Sequence, residues 1–151
     1  MSDRAPVPVH LDPLSPLALL ERTLRVFPNK TALVYGDLQL SYRQFADEVG
    51  RFAGALVRAG IAPGDRVAFL APNVPALLAA HFAVPLAKGV LVAINTRLNA
   101  DEVGYILNHS GAKIVLVDTE LASLVRDVRE PLRATPVLVN VEDAVAGITG
   151  R

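Results

Sequence analysis

The sequence predicts an α/β fold, a largely parallel sheet with helices on both faces plus a small N-terminal β-hairpin. Two observations lead to this class. From residue 67 onwards, short apolar runs alternate with amphipathic helical patterns, which is typical of βαβ units. Ahead of them, two short apolar runs flank a Gly-Asp pair, which indicates a hairpin.

Capping and turn residues delimit the first helix and the hairpin. Ser15 followed by a proline is typical of a helix start, and Pro28 ends that helix. Residues 31–35 and 38–40 are the predicted hairpin strands. Gly36 between them supplies the positive φ that the turn needs.

The second helix has the clearest pattern in the sequence. Ser41 and Gln44 have the spacing of a capping box, and Gly60 ends the helix. Arg43 and Glu48 belong to the face that we expect in solvent. The apolar face, which we expect to pack on the sheet, consists of Tyr42, Phe45, Ala46, Val49, Phe52, Ala53, Leu56 and Val57.

Strands and helices then alternate. The predicted strands span residues 67–70, 90–94, 114–117 and 137–141. The helices between them begin at Asn73 and Pro75, at the capping pair Asn99 and Glu102, and near Leu121, the last running to Val128 before Pro131. Residues from 142 onwards show no clear pattern.

Composition and charge narrow the possible partners. The 15 Lys and Arg residues balance 15 Asp and Glu residues without any block of like charge, which argues against nucleic acid or an anionic membrane. The chain has no cysteine, which excludes disulfides and thiolate chemistry. Prolines and polar residues interrupt the most apolar stretch, 67–94, so we predict no transmembrane segment. We expect a cytoplasmic protein.

No short motif predicts chemistry. Neither G-x-G-x-x-G nor G-x-x-x-x-G-K-[ST] occurs. His10, His81 and His109 are isolated, and we expect His81 to be packed and hydrogen-bonded within an apolar helix. Asp65 lies in a turn that could hold an ion pair, although a tight turn before a strand explains it as well. From the residues alone we predict no catalytic, no cofactor-binding and no metal-binding residue.

Several segments in order nevertheless resemble one enzyme family. Residues 40–45, LSYRQF, match an L-[TS]-Y-x-x-[LF] motif, and residues 60–67, GIAPGDRV, match G-[VI]-x-x-G-D-x-V. Pro72-Asn73 and the LAKGVLVAINTRL segment at 86–98 follow at the family's spacing. The chain thus resembles the N-terminal part of the AMP-forming acyl-CoA synthetases, the adenylate-forming enzymes, and is most similar to the branch acting on medium-chain fatty acids and other small carboxylates.

The resemblance implies a two-step reaction. A fatty or other carboxylic acid attacks ATP to give an acyl-adenylate, and coenzyme A then displaces AMP, with Mg²⁺ neutralising phosphate charge. It also implies an N-terminal arm, 1–14, and an incomplete N-terminal α/β subdomain, 15–151, without the phosphate loop and C-terminal domain. We therefore expect the chain alone to be inactive, to bind none of these ligands tightly, and to expose apolar surface on which a homo-oligomer could form.

One departure and two alternatives accompany this interpretation. Lys88 stands where the family usually has Gly, and we expect it exposed at a helix end, where replacement by Gly or Ala leaves folding nearly unchanged. One alternative is a non-catalytic binding or interaction module that retains the subdomain fold. The other is an unrelated Rossmann-like nucleotide-binding domain, against which the missing glycine motif counts.

Overall fold

The computed structural model describes residues 15–128 and 132–141. Within these ranges the chain forms a two-stranded antiparallel hairpin and a four-stranded parallel sheet. The predicted fold class is therefore confirmed. The elements are α1 (Pro16–Val26), β1 (Thr31–Tyr35), β2 (Leu38–Ser41), α2 (Tyr42–Arg58), β3 (Arg66–Leu70), α3 (Pro75–Leu86), β4 (Val90–Ala93), α4 (Ala100–Ser110), β5 (Ile114–Asp118), α5 (Ala122–Arg126) and β6 (Val137–Val141).

The predicted caps and turn are present. The Ser15 hydroxyl accepts a hydrogen bond from the Ala18 amide at 3.2 Å, which starts α1. Ser41 and Gln44 form the reciprocal capping box of α2. Gly36 has a φ of 55° in the hairpin turn, a conformation that glycine adopts without steric cost.

The sheet has the strand order β4-β3-β5-β6. The chain runs from β3 outwards to β4, returns past β3 to β5, and continues to β6 on the other side. The direction of winding therefore reverses between β3 and β5. In open α/β sheets, the crevice at the carboxyl ends of the strands beside such a reversal is where ligands usually bind.

Both faces of the sheet are covered, because successive strand residues point to opposite sides. Val67 and Phe69 of β3 belong to one core cluster, together with buried residues of α2 and α3. Ala68 and Leu70 belong to the other, together with buried residues of α4 and α5. The alternation explains why β3 and β5 read as continuous apolar runs: each strand is buried on both faces.

The apolar face of α2 packs on the first cluster, with one exception. Phe45, Val49, Ala53 and Leu56 are buried. Val57, also predicted for this face, is 56% exposed. It follows Leu56 by about 100° around the helix axis, which turns it past the edge of the contact, so that prediction was wrong.

Two helix boundaries differ from the prediction. The helix predicted to begin at Asn73 begins at Pro75, because Val74 occupies the N-cap position, where no side chain bonds the helix. The helix predicted near Leu121 is shorter than expected, since a 3₁₀ turn (Thr119–Leu121) precedes α5. The Asp118 carboxylate accepts the Glu120 amide at 3.0 Å and so starts that tighter turn. Pro131 and the residues from 142 lie outside the described residues.

Lys88 is exposed just after α3, as predicted, but its backbone has a conformation that is unusual for a residue other than glycine. Its φ is 62°, and no other non-glycine residue in the described ranges has a positive φ. Its carbonyl accepts the Gly64 amide at 2.9 Å, which joins the connection after α3 to the turn before β3. The backbone therefore retains a conformation that favours glycine, so we expect Lys88→Gly to stabilise the chain rather than to leave folding nearly unchanged.

Among the described helices, none combines the length and apolar character that crossing a bilayer requires.

Candidate functional site

A cavity of about 540 Å³ lies at the carboxyl ends of β3 and β4. The segment after β3 supplies Ala71, Pro72 and Asn73, and the segment after β4 supplies Asn95 and Thr96. The parallel strands end at the same edge of the sheet, so both segments meet there. We call this space the edge cavity. It lies at the carboxyl edge of the sheet, where ligands usually bind in such sheets, but between β3 and β4 rather than at the reversal of winding between β3 and β5.

Four of the nine residues that line the edge cavity are polar, and none of the nine is Asp, Glu, Lys or Arg. Its polar side chains are those of Asn73, His81, Asn95 and Thr96, and no Lys or Arg among the described residues lines it. The Asn95 side-chain oxygen already accepts the Arg97 amide at 3.0 Å, which orients the Asn95 amide group. This lining suits neutral hydrogen-bonding groups and provides no cation for a phosphate.

A second cavity of about 310 Å³ adjoins the first, between the β1–β2 hairpin and the start of α3. We call it the hairpin cavity. Leu33 and Val34 of β1 and Leu78 of α3 line it. Leu77 and His81, together with Asn73, line both cavities. The hairpin cavity is mainly apolar and meets the polar edge cavity at His81.

The three histidines of the sequence differ in their positions and contacts. His81 is hydrogen-bonded as predicted, with Nδ1 2.8 Å from the Leu77 carbonyl oxygen, but its ring is exposed rather than packed. His109 lies near the end of α4 and stacks on Tyr105 with ring centroids 5.8 Å apart. His10 lies outside the described residues. Sequence reasoning missed His81 as a cavity residue, since only the tertiary fold places the hairpin beside α3.

At the ends of β5 and β6, polar side chains satisfy one another. Asp118 is buried and caps the 3₁₀ turn that follows β5. Thr119 Oγ1 lies 2.8 Å from the Asn140 side-chain nitrogen, across the β5–β6 pair. These contacts explain the polar residues at this end of the sheet as turn and cross-strand partners.

The opposite edge of the sheet holds the ion pair that the turn at Asp65 suggested. Its partner is Lys113 before β5, with Nζ 2.6 Å from Asp65 Oδ2. Asp65 Oδ2 also accepts the Ala62 amide at 2.8 Å. The Lys113 hydrogen bond, followed by that of Ala62, lowers the pKa of Asp65, and burial opposes the shift. These groups join loops at the amino ends of the strands, away from the edge cavity.

The described residues hold no group of three or more His, Asp or Glu side chains that could bind a metal ion. The paired acids at 47–48 and 101–102 are exposed on helix surfaces. Glu102 completes the capping box of α4 with Asn99. The arrangement at the edge cavity can therefore bind and orient a ligand, and it contains no paired acid and base.

Comparison with protein families gives one match over most of the chain. The family described as "AMP-binding enzyme" matches residues 20–148. The chain is 41% identical over 130 residues to 4-hydroxybutyrate–CoA ligase 2 of Metallosphaera sedula, covering 86% of this chain and 24% of that protein. It is 39% identical over 127 residues to a peroxisomal benzoate–CoA ligase of Arabidopsis thaliana, covering 84% and 22%.

Two solved structures also superpose on most of the chain. The anthranilate CoA ligase AuaEII, in complex with anthranoyl-AMP, superposes with a TM-score of 0.79 at 29% identity, over 85% of this chain and 25% of that one. The N-terminal domain of FACL13 from Mycobacterium tuberculosis superposes with a TM-score of 0.75 at 31% identity, over 82% and 32%. The chain spans 20–24% of the length of the curated relatives that it matches.

Proposed function

Because the chain belongs to the AMP-binding enzyme family, we propose that it is the N-terminal α/β subdomain, 15–151, of an AMP-forming acyl-CoA ligase, preceded by an arm, 1–14. One observation carries this proposal. The chain superposes on the anthranilate CoA ligase with a TM-score of 0.79 over 85% of its length.

The proposed reaction has two steps. A carboxylate oxygen of the substrate attacks the α-phosphorus of ATP, forming the acyl-adenylate and releasing pyrophosphate. The thiol of coenzyme A then attacks the acyl carbon, forming the thioester and releasing AMP and a proton. Mg²⁺ would offset phosphate charge in the first step. The described residues lack a cluster that could hold it, so we assign them no metal-dependent step.

We propose a small monocarboxylate as the acid, medium-chain fatty acids included, and hence a role in fatty-acid metabolism. The names of the relatives support this size range, since they specify acetate, butyrate, 4-hydroxybutyrate and benzoate. All are carboxylates with a short or compact apolar part. A panel of acids from acetate to palmitate, assayed with a ligase that contains this chain, tests the range. A preference for acids longer than decanoate would contradict it.

In the proposed ligase reaction, we assign the edge cavity to the binding of a substrate. Asn73, Asn95 and Thr96 offer neutral donors and acceptors. Such groups match the amide-bearing arm of coenzyme A better than a triphosphate, which requires cations or clustered backbone amides. The chain therefore supplies scaffold and one neutral wall of a binding cleft.

We further propose that the 151-residue chain alone makes no acyl-CoA and binds ATP weakly. Preorganised donors around the reacting phosphate usually provide the largest catalytic contribution, and the sequence has neither a G-x-x-x-x-G-K-[ST] motif nor a Ser/Thr/Gly-rich loop. The test incubates the purified chain with ATP, Mg²⁺, coenzyme A and octanoate and follows pyrophosphate release. A full-length ligase of the family is the positive control. Turnover of about 1 per second or faster would overturn the proposal.

A cytoplasmic location also remains a proposal. Several plant relatives are named as peroxisomal proteins. Fractionation of the native cell, with antibodies against this chain, distinguishes the two compartments. Recovery in an organelle fraction would contradict the proposal.

A further inference from the structure

The hairpin cavity has an apolar lining and a histidine, His81, that the proposed reaction does not use. Two side chains on its boundary with the edge cavity, Asn73 and His81, line both spaces. Within the described part of the chain, the Asn73 amide group and the second ring nitrogen of His81 have no hydrogen-bond partner. Both residues are exposed, so these atoms are available to a ligand.

The His81 hydrogen bond determines which nitrogen is available. Nδ1 lies 2.8 Å from the Leu77 carbonyl oxygen. A carbonyl oxygen only accepts, so Nδ1 carries the proton in this contact. In the neutral imidazole, Nε2 then presents a lone pair and accepts a hydrogen bond. The backbone of α3 thus makes His81 an acceptor at the boundary between the two cavities.

The rest of the hairpin cavity is apolar. Leu33 and Val34 on the hairpin face Val74, Leu77 and Leu78 at the start of α3 across a space of about 310 Å³. Val34 is 66% exposed and Leu78 is 40% exposed, so an apolar ligand between them would remove hydrocarbon surface from water. The volume lies at the lower end of ordinary small-molecule sites, about 300–1,000 Å³.

We propose that the hairpin cavity binds a small aliphatic molecule whose head group donates a hydrogen bond, such as a primary amide or an alcohol. The aliphatic part lies between Leu33 and Leu78, and the head group donates to Nε2 of His81. Asn73 offers a second polar contact at the same boundary. A carboxylate has no proton to donate at neutral pH, so it gains the apolar contacts but not the bond to His81. The cavity therefore discriminates between head groups of otherwise equal chains.

The test compares hexanamide with hexanoate on the 151-residue chain, by titration in two-dimensional NMR at pH 7.5. We expect saturable shifts at residues of β1 and the start of α3, with hexanamide binding about three- to tenfold more tightly, the range of one neutral hydrogen bond. His81→Phe keeps a ring and removes the acceptor, so it should abolish the preference. His109→Phe, on α4, is the matched control and should retain it.

Variants of two leucines on α3 distinguish binding in the hairpin cavity from nonspecific binding to the protein surface. Leu78 lines the hairpin cavity and Leu86, 48% exposed, does not. Leu78→Ala should weaken both ligands several-fold, whereas Leu86→Ala should change neither. Nitrogen chemical shifts of His81 should show the Nδ1-protonated tautomer without any ligand. Absence of saturable binding, equal affinity for the two ligands, or an unchanged preference in His81→Phe overturns the proposal.

Discussion

Lys113 Nζ lies 2.6 Å from Asp65 Oδ2 and links the turn before β3 to the start of β5. The neighbouring Arg66 donates from its guanidinium to the carbonyl oxygens of Ser110 and Gly111, at the end of α4. Arg66 therefore satisfies carbonyl groups that the helix itself leaves without partners. Charged side chains thus join two connections at the amino edge of the sheet, the turn before β3 and the segment between α4 and β5, while the opposite edge remains open for a ligand.

Asp65→Asn should lower the melting temperature of the chain near neutral pH. The pKa of Asp65 is lowered in the folded chain, mainly by the Lys113 hydrogen bond and then by the Ala62 amide. A carboxyl group with a lowered folded pKa stabilises the fold above its unfolded pKa, about 3.9. That contribution is lost as the pH falls through the folded pKa. The difference between the two proteins should thus be constant above about pH 5 and shrink below about pH 4.

Melting curves from pH 2.5 to 7 check this dependence. Asp47→Asn is the matched control, because Asp47 is exposed on α2, and it should shift the melting temperature little at any pH. A difference for Asp65→Asn that persists unchanged to pH 2.5 would show that the ion pair is not its cause.

Lys88→Gly should stabilise the chain by about 1 kcal/mol. Lys88 has a φ of 62°, and the left-handed region costs an L-residue about 1–2 kcal/mol, partly offset by the greater unfolded-state entropy of glycine. Lys88→Ala keeps the backbone cost and should change the free energy of unfolding little. Urea titration measures both. A stabilisation of equal size in both variants would assign the effect to the lysine side chain instead.

Phe45→Ala should lower the free energy of unfolding by about 3–5 kcal/mol. Phe45 is 4% exposed and its ring meets that of Phe82 edge-on, with centroids 5.5 Å apart. The control is Phe27→Ala, since Phe27 is 46% exposed and its loss should cost less than about 1 kcal/mol. Denaturant unfolding compares the two. Similar losses would show that the α2 face does not carry the core.

The 151-residue chain should self-associate through β6 as its concentration rises. Val137 and Leu138 lie on this edge strand and are 57% and 49% exposed. Exposed, uncharged edge strands favour pairing with another chain. Val139→Lys places a charge in β6 and should shift the population towards monomer. Val57→Lys, on exposed α2 surface, should not. Light scattering after size-exclusion chromatography measures both, and a wild-type monomer at every concentration would contradict the prediction.

Local chemistry allowed most of the elements to be predicted from the sequence. Ser41 and Gln44 bond within one turn of helix, so their spacing alone predicts the start of α2. β3 and β5 are buried on both faces, so unbroken apolar runs predict them. The errors lie where a neighbour decides the outcome. Asparagine often caps helices, so the sequence favoured a helix start at Asn73. In the folded chain, Val74 occupies the N-cap position of α3 instead.

What the sequence determined by itself is the order of the elements, their caps and their buried faces, because these depend on spacings of a few residues. The tertiary structure alone decided which distant residues meet. Asp65 and Lys113 are 48 positions apart, and the hairpin and His81 share a cavity only after α3 packs beside β1. The strand order, too, depends on how the helices pack. The edge and hairpin cavities therefore follow from the folded chain, because each is enclosed by segments that no local pattern connects.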